Sequence, residues 1–181
     1  CSAVTVEYSL PPQTHWLARK AGVATSLGLD IPVSLNLDYF ETVRNGFWSV
    51  YRTPEGAAHA AEMESADVLD FVTRWGHKAL RLGDVAGSVE IGRRADLVLL
   101  RTDRVGFAPH GSLADRVVNF ANWADVDSVW IAGKARKRDG RMVGVNMERL
   151  RDLQVEAQNR AAERAKTITF TGRWSPASTV A

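Results

Sequence analysis

Alternating strand-like and helix-like segments in the first fifty residues restrict the fold of this chain more than any other feature. The segments run strand, helix, strand, helix, and they occupy residues 4–9, 13–21, 23–29 and 39 to about 51. Asp38 is a suitable N-cap for the last helix, in which apolar residues recur at helical spacing. Alternation of this kind is typical of parallel βα units, so the sequence predicts an α/β fold.

The second half of the chain follows a different pattern, with short strands and glycine-containing turns. Between the halves, residues 53–65 lack apolar periodicity and are predicted to be a loop, and Ser65 is predicted to cap a helix over 66–80. A final helix is predicted from about residue 146 to 166. Strand-like runs follow one another at residues 87–92, 95–100, 126–132 and 135–138, of which the last two predict a hairpin.

Charge and cysteine content exclude several classes of protein. The 23 Lys and Arg residues nearly balance the 21 Asp and Glu residues, and the basic run at 134–141 is interpreted as a solvated turn. Neither nucleic acid nor a membrane surface is therefore a predicted partner. Apolar runs fall far short of the roughly 20 residues that span a bilayer. The single cysteine, Cys1, is compatible with the cytoplasm, which is the predicted location. Because the chain starts at Cys1 without an initiator Met, we interpret this start as a cut or processed end.

Asp30 is the strongest candidate for a catalytic residue, because it follows the carboxyl end of the predicted strand over 23–29. Barrel enzymes place their catalytic groups at this end of their strands. A carboxylate there can ligate a metal ion and accept a proton from metal-bound water. The alternative is an aspartate that caps the following loop, and the position alone leaves both interpretations open.

The other chemistry-bearing residues give weaker signals. Glu7, at the end of the first strand and on the same predicted face as Asp30, either contacts substrate or lines a polar rim. Phosphate-binding glycine loops, a nucleophile elbow and paired cysteines are missing from the sequence. No HxH or HExxH pair occurs, and a catalytic zinc usually needs three protein ligands. Each histidine is therefore predicted to be structural or solvated: His15, His59, His77 and His110.

Three stretches of the chain carry a resemblance to a known enzyme family. Residues 21–30, with Asp38-Tyr39-Phe40 and Arg44 after them, resemble a last barrel strand and the helix that follows it. Residues 73–100 resemble the return of the chain into a small composite β-sandwich, and residues 126–141 resemble its closing hairpin. Together they are similar to the amidohydrolase superfamily, in the subgroup of cytosine, guanine and adenosine-analogue deaminases and s-triazine chlorohydrolases.

The resemblance implies a fold and a set of site residues. The fold is the last two βα units of a (β/α)8 metal-dependent hydrolase barrel plus part of the composite sandwich, with domains at 1–82, 83–145 and 146–181. Asp30 corresponds to the family's aspartate ligand of a divalent metal, zinc with iron as the alternative, whose remaining ligands lie outside this chain. Ser34 and Asn36 fall where relatives contact substrate. The sequence departs from the family by reading Asp30-Ile31-Pro32 in place of Asp-Gly, which leaves the substrate class open.

Length limits how much of an enzyme the chain can form. A (β/α)8 barrel takes about 250 residues, whereas residues 1–82 accommodate two strands with their helices. Two parallel strands alone would expose apolar faces and an unpaired edge. We therefore expect a second polypeptide or a missing N-terminal segment to complete the barrel, and an oligomeric assembly.

Three interpretations follow from these observations. In the first, the chain is part of a metal-dependent hydrolase that acts on the C–N bonds of small cyclic amidines or amides. The chain alone is then inactive, and the enzyme is active when the missing part of the barrel completes it. The second is a catalytically inactive scaffold or binding subunit derived from that fold. The third, a free-standing α/β domain with an accidental resemblance, predicts a stable monomer.

Overall fold

A computed structural model describes residues 2–4, 14–29, 37–107 and 111–167. The chain divides into two compact units, Cys1–Val143 and Gly144–Ala181. Within the described residues, no helix combines the length and the apolar character that crossing a bilayer requires.

The first unit begins with two short parallel strands separated by a helix. Strand β1 (Ser2–Val4) pairs with strand β2 (Ser26–Gly28), with Ala3 opposite Leu27. Helix α1 (Thr14–Lys20) connects them, and Gly22 takes a positive φ of 76° at the turn after the helix. A strand, a helix and a parallel strand form the predicted βα alternation. Strand β2 is shorter than the predicted run over 23–29, and residues 5–9 of the first predicted strand lie outside the described residues.

Helix α2 (Tyr39–Trp48) confirms the helix predicted after Asp38, whose side chain accepts a hydrogen bond from the backbone N–H of Phe40 at 3.1 Å. A 3₁₀ turn (Ser49–Arg52) extends it, in agreement with a predicted end near residue 51. The cap and the apolar periodicity agree at this segment, and a helix specified by two independent signals is well determined by sequence.

The loop predicted at residues 53–65 is wrong. The structure has helix α3 (Pro54–His59) and a 3₁₀ turn (Ala60–Glu62) there. Thr53 caps α3, since its hydroxyl accepts a hydrogen bond from the N–H of Gly56 at 3.0 Å, and Pro54 occupies the first helical turn. A capping threonine followed by proline starts a short helix without apolar periodicity.

The helix predicted over 66–80 is divided in two. Helix α4 (Ser65–Phe71) ends at Val72, and helix α5 (Arg74–Ala79) starts after Thr73. The Thr73 hydroxyl donates to the Leu69 carbonyl at 2.7 Å, and Thr73 itself has a φ of −126° and a ψ of −100°, outside the helical region. Glu64, and not Ser65, occupies the N-cap position of α4.

An antiparallel sheet forms the second part of this unit, with strand order β3-β4-β5-β6. The hairpin predicted near residue 133 is confirmed, with its turn at Ala132 and Gly133, where both φ angles are positive (50° and 76°). The strand predicted at 87–92 is wrong, because these residues form turns. The four strands are β3 (Leu97–Leu100), β4 (Val126–Ile131), β5 (Lys134–Arg138) and β6 (Arg141–Met142).

Helix α6 (Leu113–Phe120) lies between β3 and β4 in the chain and was not predicted. Its start is a capping box, in which Ser112 and Asp115 each bond the other's backbone N–H. Beyond the helix, Asp125 is 2% exposed and accepts two hydrogen bonds from Arg104, at 2.5 Å from Nε and 2.6 Å from Nη2. This bidentate pair joins the segment after β3 to the start of β4.

The core of the first unit lies where α1, α2, α4 and α6 meet around β2. Val50, Val68 and Phe71 are fully shielded from solvent there. The buried apolar cluster comprises Trp16, Leu27, Val43, Val50, Ala60, Met63, Val68, Phe71 and Val118.

The second unit contains helix α7 (Met147–Ala165), which confirms the helix predicted from about residue 146. Asn146 caps it by accepting a hydrogen bond from the N–H of Arg149 at 2.9 Å. No residue of α7 is buried.

Candidate active site

The candidate active site is the edge at which the parallel strands β1 and β2 end. Because the strands are parallel and Val4 is opposite Gly28, their carboxyl ends lie at the same edge. In the sequence Glu7 follows β1 by three residues and Asp30 follows β2 by two. Glu7, Asp30, Ser34 and Asn36 lie outside the described residues, so their roles stay predictions.

The central residue of β2 packs its side chain against helix α2. Leu27, the central residue of β2, is 3% exposed, and a Cβ atom at Gly46 would be 2.7 Å from Leu27 Cδ1. Only a glycine at position 46 leaves room for this contact without displacing the Leu27 side chain. The strand that precedes Asp30 is therefore packed on helix α2 through the buried Leu27 side chain.

Tyr39 supports the same strand from the start of α2. Its hydroxyl donates to the Leu27 carbonyl oxygen at 2.5 Å. Burial raises the pKa of the Tyr39 hydroxyl above its ordinary value, so the group stays protonated and remains a donor at neutral pH. The sequence alone did not predict this hydrogen bond of Tyr39. The signal that could have indicated it is the position of Tyr39 directly after the capping residue Asp38.

Asp38 anchors the chain where it enters α2. One carboxylate oxygen caps the helix, and the other accepts a hydrogen bond from the backbone N–H of Trp123 at 3.3 Å. The residue is 8% exposed. Arg44 adds a second link, since its guanidinium donates to the carbonyl oxygens of Asn119 and Ala121 at the end of α6, at 2.9 and 2.7 Å. The segment that contains Asp30 thus leads into a fixed helix.

His15 confirms the prediction of a structural histidine. Its ring is 1% exposed, packs edge-to-face against Phe71 with centroids 5.2 Å apart, and has Nε2 at 2.8 Å from the Gly46 carbonyl oxygen. A carbonyl only accepts, so Nε2 carries the proton and donates it. Burial lowers the pKa of His15 from 6.5 to about 4, against the smaller opposing effect of the Gly46 hydrogen bond, and the ring is neutral at pH 7.

The other described histidines have polar partners within hydrogen-bond distance. His59 Nδ1 lies 3.2 Å from both Lys20 Nζ and a Glu62 carboxylate oxygen, and His77 Nδ1 lies 2.8 Å from the Thr73 carbonyl oxygen. His110 lies outside the described residues. No group of three or more His, Cys, Asp and Glu side chains that could hold a metal ion occurs among the residues the structure describes. The described residues therefore do not constitute a metal centre by themselves.

Residues 13–136 match the sequence model of the Amidohydrolase family, and the chain belongs to this family. The family match includes the parallel strand β2, the helices around it and most of the antiparallel sheet.

Curated relatives and solved structures agree with this assignment. A 5-methylthioadenosine/S-adenosylhomocysteine deaminase of Pelotomaculum thermopropionicum is 34% identical over 153 residues, which are 84% of this chain and 33% of that protein. Its counterpart in Thermoanaerobacter pseudethanolicus is 30% identical over 132 residues, or 72% of this chain and 30% of that protein. These deaminases fit the subgroup to which the sequence was similar.

Among solved structures, an adenosine deaminase from Xanthomonas campestris with bound zinc superposes with a TM-score of 0.73 at 25% identity, covering 92% of this chain and 38% of that chain. An atrazine chlorohydrolase from Arthrobacter aurescens complexed with zinc gives a TM-score of 0.65 at 19% identity, covering 76% of this chain and 30% of that chain, and shows a shared fold. The chain has the α/β fold of these hydrolases and spans about a third of the length of the curated relatives it matches.

Proposed function

We propose that this chain is the C-terminal portion of a metal-dependent hydrolase that acts on non-peptide C–N bonds of small cyclic amidines or amides. It contributes the last two βα units of a (β/α)8 barrel, with strands β1 and β2, and part of a composite β-sandwich, with strands β3 to β6. The observation that carries the proposal is the parallel pairing of β1 with β2 within a chain of the Amidohydrolase family, since the sequence places Glu7 and Asp30 just past the carboxyl ends of these strands.

Asp30 is the proposed catalytic residue and metal ligand. In the completed enzyme a divalent metal, zinc or alternatively iron, would activate the attacking water, and the zinc bound to two of the similar structures supports this choice. The Asp30 carboxylate accepts the proton that the water loses. Glu7, Ser34 and Asn36 are proposed to contact the substrate. The burial of Leu27 of β2 against Gly46 of α2 supports the role of Asp30, because a catalytic group needs a packed element behind it.

A further part of the barrel is required as a partner. Eight strands close a barrel of this kind, and β1 and β2 are the parallel strands that the described residues contain. The antiparallel sheet also exposes large apolar side chains, with Val98 59% and Leu99 51% exposed. We propose that a second polypeptide or a preceding segment of a longer protein covers these surfaces and supplies the remaining metal ligands.

The names of the relatives suggest which substrates to test first. The curated relatives are named as deaminases of 5-methylthioadenosine and S-adenosylhomocysteine or of 5′-deoxyadenosine. An exocyclic amino group on a purine ring is a cyclic amidine, which is the proposed substrate class. Adenosine and 5-methylthioadenosine are therefore the first substrates to assay.

The test uses the protein assembled as it occurs, with whatever polypeptide completes the barrel. We expect native mass spectrometry to detect about one divalent metal per complete barrel, and an ammonia-release assay to detect hydrolysis of at least one adenosine analogue. Asp30→Asn is expected to lower kcat by at least about a hundredfold, because the variant loses both the metal ligand and the proton acceptor.

Asp139→Asn is the matched control. It removes the same charge from an exposed turn residue whose φ of 50° asparagine tolerates, and it should leave kcat unchanged. Full activity of Asp30→Asn would refute the assignment of Asp30. A complete assembly without metal and without ammonia release would refute the hydrolase.

A scaffold or binding subunit is the second candidate. It is favoured by the departure of the sequence from the family at the candidate catalytic residue, where Asp30-Ile31-Pro32 stands in place of Asp-Gly. In that case the native assembly contains a partner but no metal, which separates the two candidates in the same mass spectrum.

A further inference from the structure

A side chain of helix α2 bonds directly to the main chain of strand β2. Tyr39 is the first residue of α2, and its hydroxyl donates to the carbonyl oxygen of Leu27 at 2.5 Å. Although Tyr39 is 37% exposed, its hydroxyl reaches a residue that is 3% exposed. Burial raises the pKa of the hydroxyl, so the carbonyl of Leu27 has a donor that stays protonated at neutral pH.

This bond restrains β2 in a different way from the packing of its side chains. The Leu27 side chain lies against Gly46 of α2, and a Cβ atom at Gly76 of α5 would be 3.5 Å from Ser26 Cβ. Packing limits how closely a strand approaches a helix, whereas a hydrogen bond also fixes the direction in which a carbonyl group points. Tyr39 therefore restrains the orientation of the peptide group at the carboxyl end of β2.

The bond also joins the two ends of the stretch that carries most of the proposed site residues. Leu27 precedes Asp30 by three residues, and Tyr39 follows Asn36 by three. A contact between the ends of a chain segment reduces the conformations open to the residues between them. Three residues span at most about 10 Å, so little chain separates Leu27 from Asp30 to absorb a shift of the strand.

The helix end of this stretch is fixed independently of the Tyr39 hydroxyl. Asp38 accepts hydrogen bonds from the backbone N–H groups of Phe40 and Trp123, at 3.1 and 3.3 Å. Loss of the Tyr39 hydroxyl would therefore leave the start of α2 in place and release the strand end alone.

We infer that Tyr39 is a positioning residue for the reaction, whose hydroxyl orients the carboxyl end of β2 so that the Asp30 carboxylate is held where it accepts the proton. This inference rests on the proposed function, and it adds a residue that acts through the main chain and does not touch the substrate.

Loss of the hydroxyl should act on the chemical step more than on substrate binding, because the released end is the one next to Asp30. A misplacement of about 1 Å can lower a rate about a hundredfold. Since the aromatic ring and the packing of Leu27 remain, we expect a smaller effect, a fall in kcat of about tenfold with KM changed by less than about twofold.

Tyr39→Phe tests the inference in the protein assembled with the rest of its barrel, with Tyr51→Phe as the matched control. Each variant removes one phenolic hydroxyl and keeps the ring. Tyr51 is 45% exposed, and its ring contacts Phe47 and Trp48. Steady-state kinetics of ammonia release, with the metal in excess, should show the lower kcat in Tyr39→Phe and the kinetics of the wild type in Tyr51→Phe.

Hydrogen exchange of the β2 amides measures the restraint without any substrate. These amides should exchange about fivefold faster in Tyr39→Phe, the factor expected for the loss of one hydrogen bond. The amides of α4 should exchange as in the wild type, which separates a local release of β2 from a general loss of stability. Tyr51→Phe should leave both sets of amides unchanged.

Three results would overturn the inference while leaving the hydrolase intact. These are unchanged exchange of β2 in Tyr39→Phe, faster exchange with the kcat of the wild type, and equal losses of kcat in the two phenylalanine variants. A wild-type assembly that binds no metal and releases no ammonia would instead refute the proposed function, and the positioning role with it.

Discussion

The buried neutral imidazole of His15 predicts how stability depends on pH. Its pKa is about 4 in the folded protein, against 6.5 without the protein environment, because burial disfavours the charged ring. The unfolded chain therefore binds a proton more readily between these two values. Above pH 6.5 His15 is neutral in both the folded and the unfolded state, so its burial does not make stability depend on pH. As the pH falls from 6.5 towards 4, the unfolded state binds a proton that the folded state does not bind, and the folded state loses stability.

The magnitude follows from the two pKa values. A pKa difference of about 2.5 corresponds to a contribution of about 3 kcal/mol in total to the free energy of unfolding. About 2 kcal/mol of this contribution is lost between pH 7.5 and pH 5. Acidic residues also contribute to the pH dependence of the wild type. The informative quantity is therefore the difference between the wild type and His15→Gln, whose amide can still donate to the Gly46 carbonyl.

Urea denaturation of both proteins at pH 7.5 and pH 5 measures this difference. We expect the stability of the wild type relative to His15→Gln to fall by about 2 kcal/mol on acidification. Val43→Ala serves as the control: it destabilises the same core without removing a titratable group, and should keep the pH dependence of the wild type. The reasoning would be refuted if wild type and His15→Gln lost stability in parallel.

Two further substitutions test other contacts in the first unit. Arg104→Ala should destabilise the fold by about 2 kcal/mol, because it leaves the buried Asp125 carboxylate, which is 2% exposed, without its bidentate partner. Thermal unfolding measures the loss of stability. An unchanged unfolding midpoint would contradict the role of the pair. Gly56→Ala should destabilise by about 2 kcal/mol, because its Cβ would collide with the backbone carbonyl oxygen of Val50, which cannot move aside as a side-chain end can. A denaturant titration measures the loss, and a stability equal to that of the wild type would contradict the close approach.

Local signals account for the parts of the fold that sequence analysis predicted. Helix α2 has both a capping aspartate and apolar periodicity, and the hairpin of β4 and β5 has Gly133 at a turn position with a positive φ. The start of α3 was missed although Thr53 and Pro54 signal it, because the segment has no apolar periodicity.

Contacts that apolar periodicity does not reveal account for what was missed. Helices α4 and α5 were predicted as one, but Gly76 approaches the Phe71 carbonyl so closely that a Cβ there would be 2.8 Å away, and this tight turn is invisible to periodicity. The burial of His15 depends on Gly46, 31 residues further along the chain. Of the candidate site, the sequence could identify the strand edge, and the placement of Asp30 remains a prediction.

The pairing of the strands also has a consequence for the order of folding. Lys134 faces Ile131 across the β4–β5 hairpin, only three residues away in the chain, whereas Ser26 faces Ser2 across 24 residues with α1 between them. Closing the longer loop costs more chain entropy, and hairpins form in about 1–10 µs. We expect the hairpin to form early, and the parallel pair that precedes Asp30 to form only after α1 has docked. The strand edge proposed for catalysis is then among the last parts of the first unit to acquire its native structure.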